Sequence, residues 1–159
     1  MQIGIENRLI DANLNRLREG IRVVEDIARY IFDDFALASR LKSLRHRARV
    51  GDSIFVESLL NKRDVANDIL KTSTQSEQKR DNLSDIITAN FKRSEESARV
   101  LEEIFKLDST HLVESIDNNK NTCEIFKSIR YELYDVELAF LEVVKKHNEK
   151  ITLNQREFD

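Results

Sequence analysis

Apolar residues recur at helical spacing along nearly the whole chain, and polar residues fill the positions between them. Leu14, Leu17, Ile21, Val24, Ala28 and Ile31 fall within one arc of about 100°, which predicts a first helix over residues 6–32. Asp33-Asp34 interrupts that pattern, and Asp34 or its neighbour can cap a second helix over 34–50 that carries Leu37, Leu41 and Leu44. Gly51-Asp52-Ser53 reads as a helix stop followed by a new cap, with a short helix over 54–60 after it. Residues 61–82 show no clear periodicity and read as a long loop. A third helix is predicted over 83–106, broken at Asp108-Ser109. The last begins between 110 and 122 and runs to 148. Its apolar positions Phe126, Ile129, Leu133, Val136, Phe140 and Val143 form a heptad seam. That seam is read chiefly as packing within the chain's own bundle, with a homodimer as a further possibility. Residues 151–159 form a polar tail expected to fray.

The first and third helices repeat each other. Residues 12–27 align with 89–104 without gaps, and Ala12/Ala89, Asn13/Asn90, Arg16/Arg93, Glu19/Glu96, Arg22/Arg99, Val23/Val100, Glu25/Glu102 and Ile27/Ile104 are identical. Lys42-Ser43-Leu44-Arg45-His46 is echoed by Lys127-Ser128-Ile129-Arg130-Tyr131. The expected architecture is therefore all-α. It is a bundle of two duplicated αα-hairpins, about residues 7–60 and 83–148, related by pseudo-two-fold symmetry within one domain over residues 1–150.

Composition narrows the picture. The 159 residues contain no proline and three glycines, too few for the turns of a sandwich or barrel. Gly4, Gly20 and Gly51 stand alone, which excludes a Gly-rich phosphate cradle. A net charge of −3 gives no bulk electrostatic case for nucleic acid. No apolar run is long enough to cross a membrane or to serve as a signal segment. The single Cys123 excludes an internal disulfide framework, and a reducing, cytoplasmic location is the simple expectation.

The candidate chemistry lies in the repeat and the loop. Asn13, Arg16, Glu19, Arg22 and Glu25 step by three and so drift around the helix, which makes two small sites more plausible than one. A surface ladder of ion pairs is the plainer reading for Glu19 and Arg22. Asn13 and Asn90 lie at the apolar edge, where an Asn needs a specific hydrogen-bond partner. The loop holds Arg63, Asp64, Asn67 and Asp68. A loop this long is often functional, though a mobile connection accounts for it about as well. His46, His111 and His147 lack ligand spacing, Cys123 reads as a packing residue, and Glu132-x-x-Asp135 is a weak metal signal.

Ile10-Asp11-Ala12-Asn13-Leu14-Asn15-Arg16, followed by Arg18-Glu19-Gly20-Ile21-Arg22-Val23-Val24-Glu25-Asp26, resembles the opening of a known family. The stretch from Ala89 to Glu103 resembles it again, and Leu44-Arg45-His46 and Arg130-Tyr131-x-x-Tyr134 fit the same pattern. The family is the helical domain fused to the N-terminus of some bacterial and cyanobacterial thiamine-phosphate synthases. That domain is regarded as a kinase that adds the second phosphate to hydroxymethylpyrimidine phosphate. The resemblance covers about residues 7–140. It implies ATP as co-substrate, Mg²⁺, an aminopyrimidine phosphate as substrate, and a thiamine-phosphate synthase as partner.

Under that resemblance Arg16, Arg93, Arg22, Arg99, Arg63 and Arg80 become candidates for phosphate binding. Asp64, Asp68, Glu25 and Glu102 are the candidate Mg²⁺ ligands, and Asn13, Asn90 and Asp64 the catalytic candidates. The family carries a glycine-bearing turn after its Arg-Asp pair. Here Arg63-Asp64-Val65-Ala66-Asn67-Asp68 has none, and Asn67 is the residue expected to take the left-handed conformation. The competing reading is a non-catalytic helical interaction module.

Overall fold

The computed structural model describes residues 3–50, 60, 63–74, 78–107 and 119–158. Among them the chain forms four long helices and no strand: α1 (Ile3–Tyr30), α2 (Phe35–Arg47), α3 (Leu83–Ile104) and α4 (Asn119–Glu157). The architecture is all-α. The expected short helix at 54–60, the Gly51 stop, the Asp108-Ser109 break and His111 lie outside the described residues, apart from residue 60.

Local chemistry sets the helix ends. Asp33 adopts a left-handed φ of 50°, which stops α1 and turns the chain back. Asp34 then caps α2, its carboxylate accepting from the Leu37 amide at 2.9 Å. This turn leaves Ile31 beyond the end of α1 and 51% exposed, so it does not share the buried arc with Leu17, Ile21 and Val24. Asn82 caps α3 in the same way, accepting from the Asp85 amide at 2.9 Å. α4 continues to Glu157, nine residues past the expected end at 148, and its last turns are exposed.

The helices meet over one apolar core. Phe91 and Phe140 pack edge to face, as do Phe32 and Phe140, while Phe105 stacks on Phe126. These contacts run α3 and α4 antiparallel and bring the C-terminal end of α1 to the middle of α4. Phe126, Ile129, Leu133, Val136 and Phe140 are fully buried, so the heptad seam closes the bundle from within. At the next turn the buried position passes from the expected Val143 to Val144. A straight helix drifts against a strict seven-residue repeat, and the seam slips by one residue.

α1 and α3 cross closely and antiparallel. Ser94 Oγ donates to the Leu17 carbonyl at 3.2 Å, and a Cβ placed on Gly20 would lie 2.2 Å from Ser94 Oγ and 2.9 Å from the Asn90 carbonyl. Gly20 is thus required by close approach rather than by a turn. Ser94 is the counterpart of Leu17 in the sequence repeat, so the crossing falls on matched positions of the two halves.

Candidate functional site

Three residues on α1 define the site. Asp11, Arg18 and Glu25 are spaced by seven, which puts them on one face at intervals of about 10.5 Å along the axis. Both carboxylates are held by arginines from elsewhere in the chain. Arg63 of the central loop grips Asp11 with Nε on Oδ2 and Nη2 on Oδ1, each at 2.8 Å. Arg45 of α2 grips Glu25 with Nε on Oε2 at 2.6 Å and Nη2 on Oε1 at 3.2 Å. These are fork-to-fork pairs, the strong geometry for arginine and carboxylate. The carboxylate bonds raise the affinity of both guanidinia for their protons. Arg18, between the two clamps, makes no hydrogen bond or ion pair among the described residues.

The Arg63–Asp11 pair fixes the loop on the first half of α1. Arg8 Nη2 donates to the Asp64 carbonyl at 3.4 Å beside it. One turn before Asp11, Asn7 is almost completely buried and its Oδ1 has no hydrogen-bond partner among the described residues. An unpartnered buried acceptor is uncommon and calls for a donor. The Asp64 carboxylate accepts from the Asn67 backbone amide at 3.2 Å and from Asn67 Nδ2 at 2.8 Å. Those bonds hold its carboxyl below the usual range, so it stays ionised. Asn67 does not take the left-handed conformation expected of it; Asp33 is the non-glycine residue with positive φ among those described. Asn67 instead closes the turn through its side chain, which is how a glycine-free loop is held.

The remaining sequence candidates take different places. Asn13 Nδ2 donates to the Leu9 carbonyl at 2.9 Å and Asn90 Nδ2 to the Ile86 carbonyl at 2.8 Å. The specific partner each Asn needs is thus its own helix, four residues back, in both halves. Arg16 and Arg93 are exposed. Arg22 pairs with Asp26 at 3.2 Å, and Arg99 with Glu102 at 3.1 Å and Glu103 at 2.8 Å, which is the surface-ladder arrangement. Arg80 is exposed and donates to the Lys79 carbonyl. Asp68 accepts from the Leu70 amide.

Glu25 and Glu102 do not join Asp64. Glu25 lies about 21 Å along α1 from Asp11, where the loop docks. Glu102 is buried on α3 under Arg130, which reaches it at 2.9 and 3.0 Å. Both are occupied as arginine partners and do not suit a Mg²⁺ ion. Asp64, ionised and open to solvent on one side, does suit an ion that takes one or two carboxylates and fills its shell with water and phosphate. Glu132 is paired with Arg47, and Cys123 is buried.

Asp11, Arg18, Arg45 and Asn7 were not among the candidates from the sequence. The signal was the spacing of seven from Asp11 through Arg18 to Glu25, hidden by the more regular three-residue steps of the repeat.

The ThiD2 family model matches residues 8–139. Thiamine-phosphate synthase of Rhodopirellula baltica is 36% identical over 129 residues, 80% of this chain and 32% of that protein. That of Thermosynechococcus vestitus is 36% identical over 133 residues, 83% of this chain and 34% of its own length. That of Prochlorococcus marinus is 34% identical over 146 residues, 91% and 38% respectively. The chain thus spans about a third of the length of these curated relatives. No solved structure matches it. Among the described residues no helix is long and apolar enough to cross a membrane. With 132 residues matched from Arg8 to Ala139, the chain belongs to the ThiD2 family.

Proposed function

We propose that this chain serves thiamine biosynthesis as a kinase that phosphorylates hydroxymethylpyrimidine phosphate to the pyrophosphate with ATP. It would work beside a thiamine-phosphate synthase, the kind of protein in which the curated relatives carry a matching segment. The observation that carries this reading is the Arg63–Asp11 clamp, which docks an irregular, carboxylate-bearing loop against α1 next to arginines and a buried, unpartnered Asn7. Phosphoryl transfer asks little covalent chemistry of a protein; it asks for cations on phosphate, a metal held by carboxylate, and alignment. A Mg²⁺ ion, when bound, would supply positive charge against the phosphates of ATP. Asp64, ionised and at the docked loop, is the residue that would hold it. Asn7 Oδ1 offers an acceptor suited to the amino group of an aminopyrimidine. Arg63 keeps the loop registered on α1, and its Nη1, unused by Asp11, points to a second donor role at the same place.

A coupled assay with hydroxymethylpyrimidine phosphate and ATP tests the reading. Asp64→Ala should keep the helical circular dichroism and melting temperature, since a loop carboxylate contributes little to the core. It should lower turnover by at least about a hundredfold, because metal and positioning supply most of such catalysis. Full activity in Asp64→Ala removes that residue from the site. No activity in the folded natural chain favours the second reading, a non-catalytic helical partner of the synthase. The occupation of Glu25 and Glu102 by arginines is the observation on that side.

A further inference from the structure

Where α1 turns into α2, a cavity of about 390 Å³ opens between the two helices. That volume falls in the range of small-molecule sites, roughly 300–1,000 Å³. Glu25, 3% exposed and clamped by Arg45, is its buried wall, and Arg29, Asp33, Phe35, Ser39 and Lys42 stand around it. Arg29 and Lys42 make no ion pair among the described residues. Asp33 follows Arg29 by four residues, the spacing of a helical ion pair, but its left-handed φ of 50° takes it off the helix. Arg29 lies over the Tyr30 ring instead, at 5.0 Å. Asp34 is occupied in capping α2. Phe35 is 84% exposed and pairs with no other ring among the described residues. The cavity thus holds two cations without counter-ions and an open aromatic face.

The repeat sharpens the point. Two residues past the aligned stretch, Lys106 stands where the first half has Arg29, and Glu103 binds its Nζ at 2.6 Å. Asp26, the counterpart of Glu103, pairs with Arg22 instead. The cation at this position is neutralised in the second half and left open to a ligand in the first.

We propose that this cavity binds an amino-substituted heteroaromatic phosphate monoester, of about the size of a nucleoside monophosphate. Arg29 and Lys42 supply cations for the phosphate, and the guanidinium fork matches its oxygens. Phe35 offers a face on which the ring stacks. Each Glu25 oxygen accepts one bond from Arg45 and keeps lone-pair capacity for a ring amino group. Asp33 adds an acceptor for that end of the ligand and repels the phosphate from it. The cavity lies at the Glu25 end of α1, about 21 Å along the axis from Asp11 where the loop docks, so the proposal does not rest on the kinase reading. Adenosine monophosphate and hydroxymethylpyrimidine phosphate share this chemistry.

The test is calorimetric titration of the full chain with each of these two esters, and with adenosine as the probe that lacks phosphate. The expected result is saturable binding of at least one ester, and the tighter of the two names its source. Lys42→Gln and Arg29→Gln should each bind that ester at least about tenfold more weakly, because each removes a charge-assisted bond to phosphate. Both side chains are exposed, so the melting temperature should stay that of the natural chain. Phe35→Ala should lose at least about fivefold, and should weaken adenosine as well, since stacking does not need the phosphate. Lys127→Gln, the repeat counterpart of Lys42 on α4, should bind as the natural chain does. No saturable binding of either ester, or unchanged affinity in Lys42→Gln and Phe35→Ala, overturns the proposal. Lys42-dependent binding in a chain that transfers no phosphoryl group upholds this site and removes the kinase reading. Phosphoryl transfer by a chain whose ester binding ignores Lys42 and Phe35 does the reverse.

Discussion

The two halves of the chain share a framework and differ in charge at one of its inner positions. In each, a buried Glu at the same repeat position is held by an arginine from the following helix: Glu25 by Arg45 and Glu102 by Arg130. Each half also has an Asn bonded back to its own helix, Asn13 to Leu9 and Asn90 to Ile86. At the position between them the halves diverge. The first has Arg18 among arginines. The second has Glu95, 3% exposed, facing Glu137, with Lys92 bonded to both at 3.2 and 3.3 Å. Oε2 of Glu95 and Oε2 of Glu137 are buried without a hydrogen-bond partner among the described residues, so two carboxyl groups lie together with one lysine between them. The residues that close the helix pairs are therefore the repeated ones. The position freed from that duty has become cationic in one half and acidic in the other, and the cationic half is where the loop docks.

The largest expected effect comes from breaking the shared framework. Glu25→Gln leaves Arg45 without its carboxylate in a setting already crowded by Arg18 and Arg49, and loss of one partner of a buried pair costs about 3–5 kcal/mol. Glu102→Gln should cost less, because Arg130 also lies over the Tyr131 and Tyr134 rings at 4.9 and 5.9 Å. Chemical denaturation of both variants measures the difference, and equal losses would mean that the arginine cluster adds nothing to the first half.

The acid pair gives the next effect. Burial, first, and the neighbouring Glu137 raise Glu95 to about 7. A carboxyl whose folded pKa is raised favours folding most below its unfolded value of about 4.5, and that advantage is lost as pH rises through about 7. The stability of the natural chain should therefore fall between those two pH values, by on the order of 2 kcal/mol. Glu95→Gln should flatten this part of the curve and stabilise the protein at pH 8. An unchanged slope would assign the proton elsewhere.

The smallest effect concerns the crossing of α1 and α3. Gly20→Ala gains about 1 kcal/mol of helix propensity but drives a methyl toward Ser94 Oγ and the Asn90 carbonyl. Overpacking of that kind costs about 1–3 kcal/mol, so a net loss near 1 kcal/mol is expected. Ser94→Ala in the same chain should recover part of it. A stabilised Gly20→Ala would show that the two helices can separate without loss.

Helix positions were legible in the sequence because a residue's place on a helix follows from counting. Leu17, Ile21, Leu41, Leu133 and Phe140 are buried where the periodicity puts them, and Asp34 caps α2 through an interaction three residues long. Ile31 departs from the periodicity because the turn at left-handed Asp33 ends α1 at Tyr30. Asn13 and Asn90 at the apolar edge each need a partner, and the partner is local, a carbonyl one turn back.

The site depended on contacts that no count along the chain supplies. Arg63 and Asp11 are 52 positions apart, and Arg45 and Glu25 are 20 apart. Which carboxylate is free for an ion and which already has an arginine is decided when those helices and the loop pack. The sequence alone therefore determined an all-α chain, its heptad seam and its internal repeat, since each is a regularity of neighbours a few residues apart. Only the tertiary structure decided that Glu25 and Glu102 are clamped, that Arg18 has no ion-pair partner among the described residues, and that Glu95 faces Glu137. Electrostatic roles depend on distance in space and on burial, and both are set by how the helices close on one another.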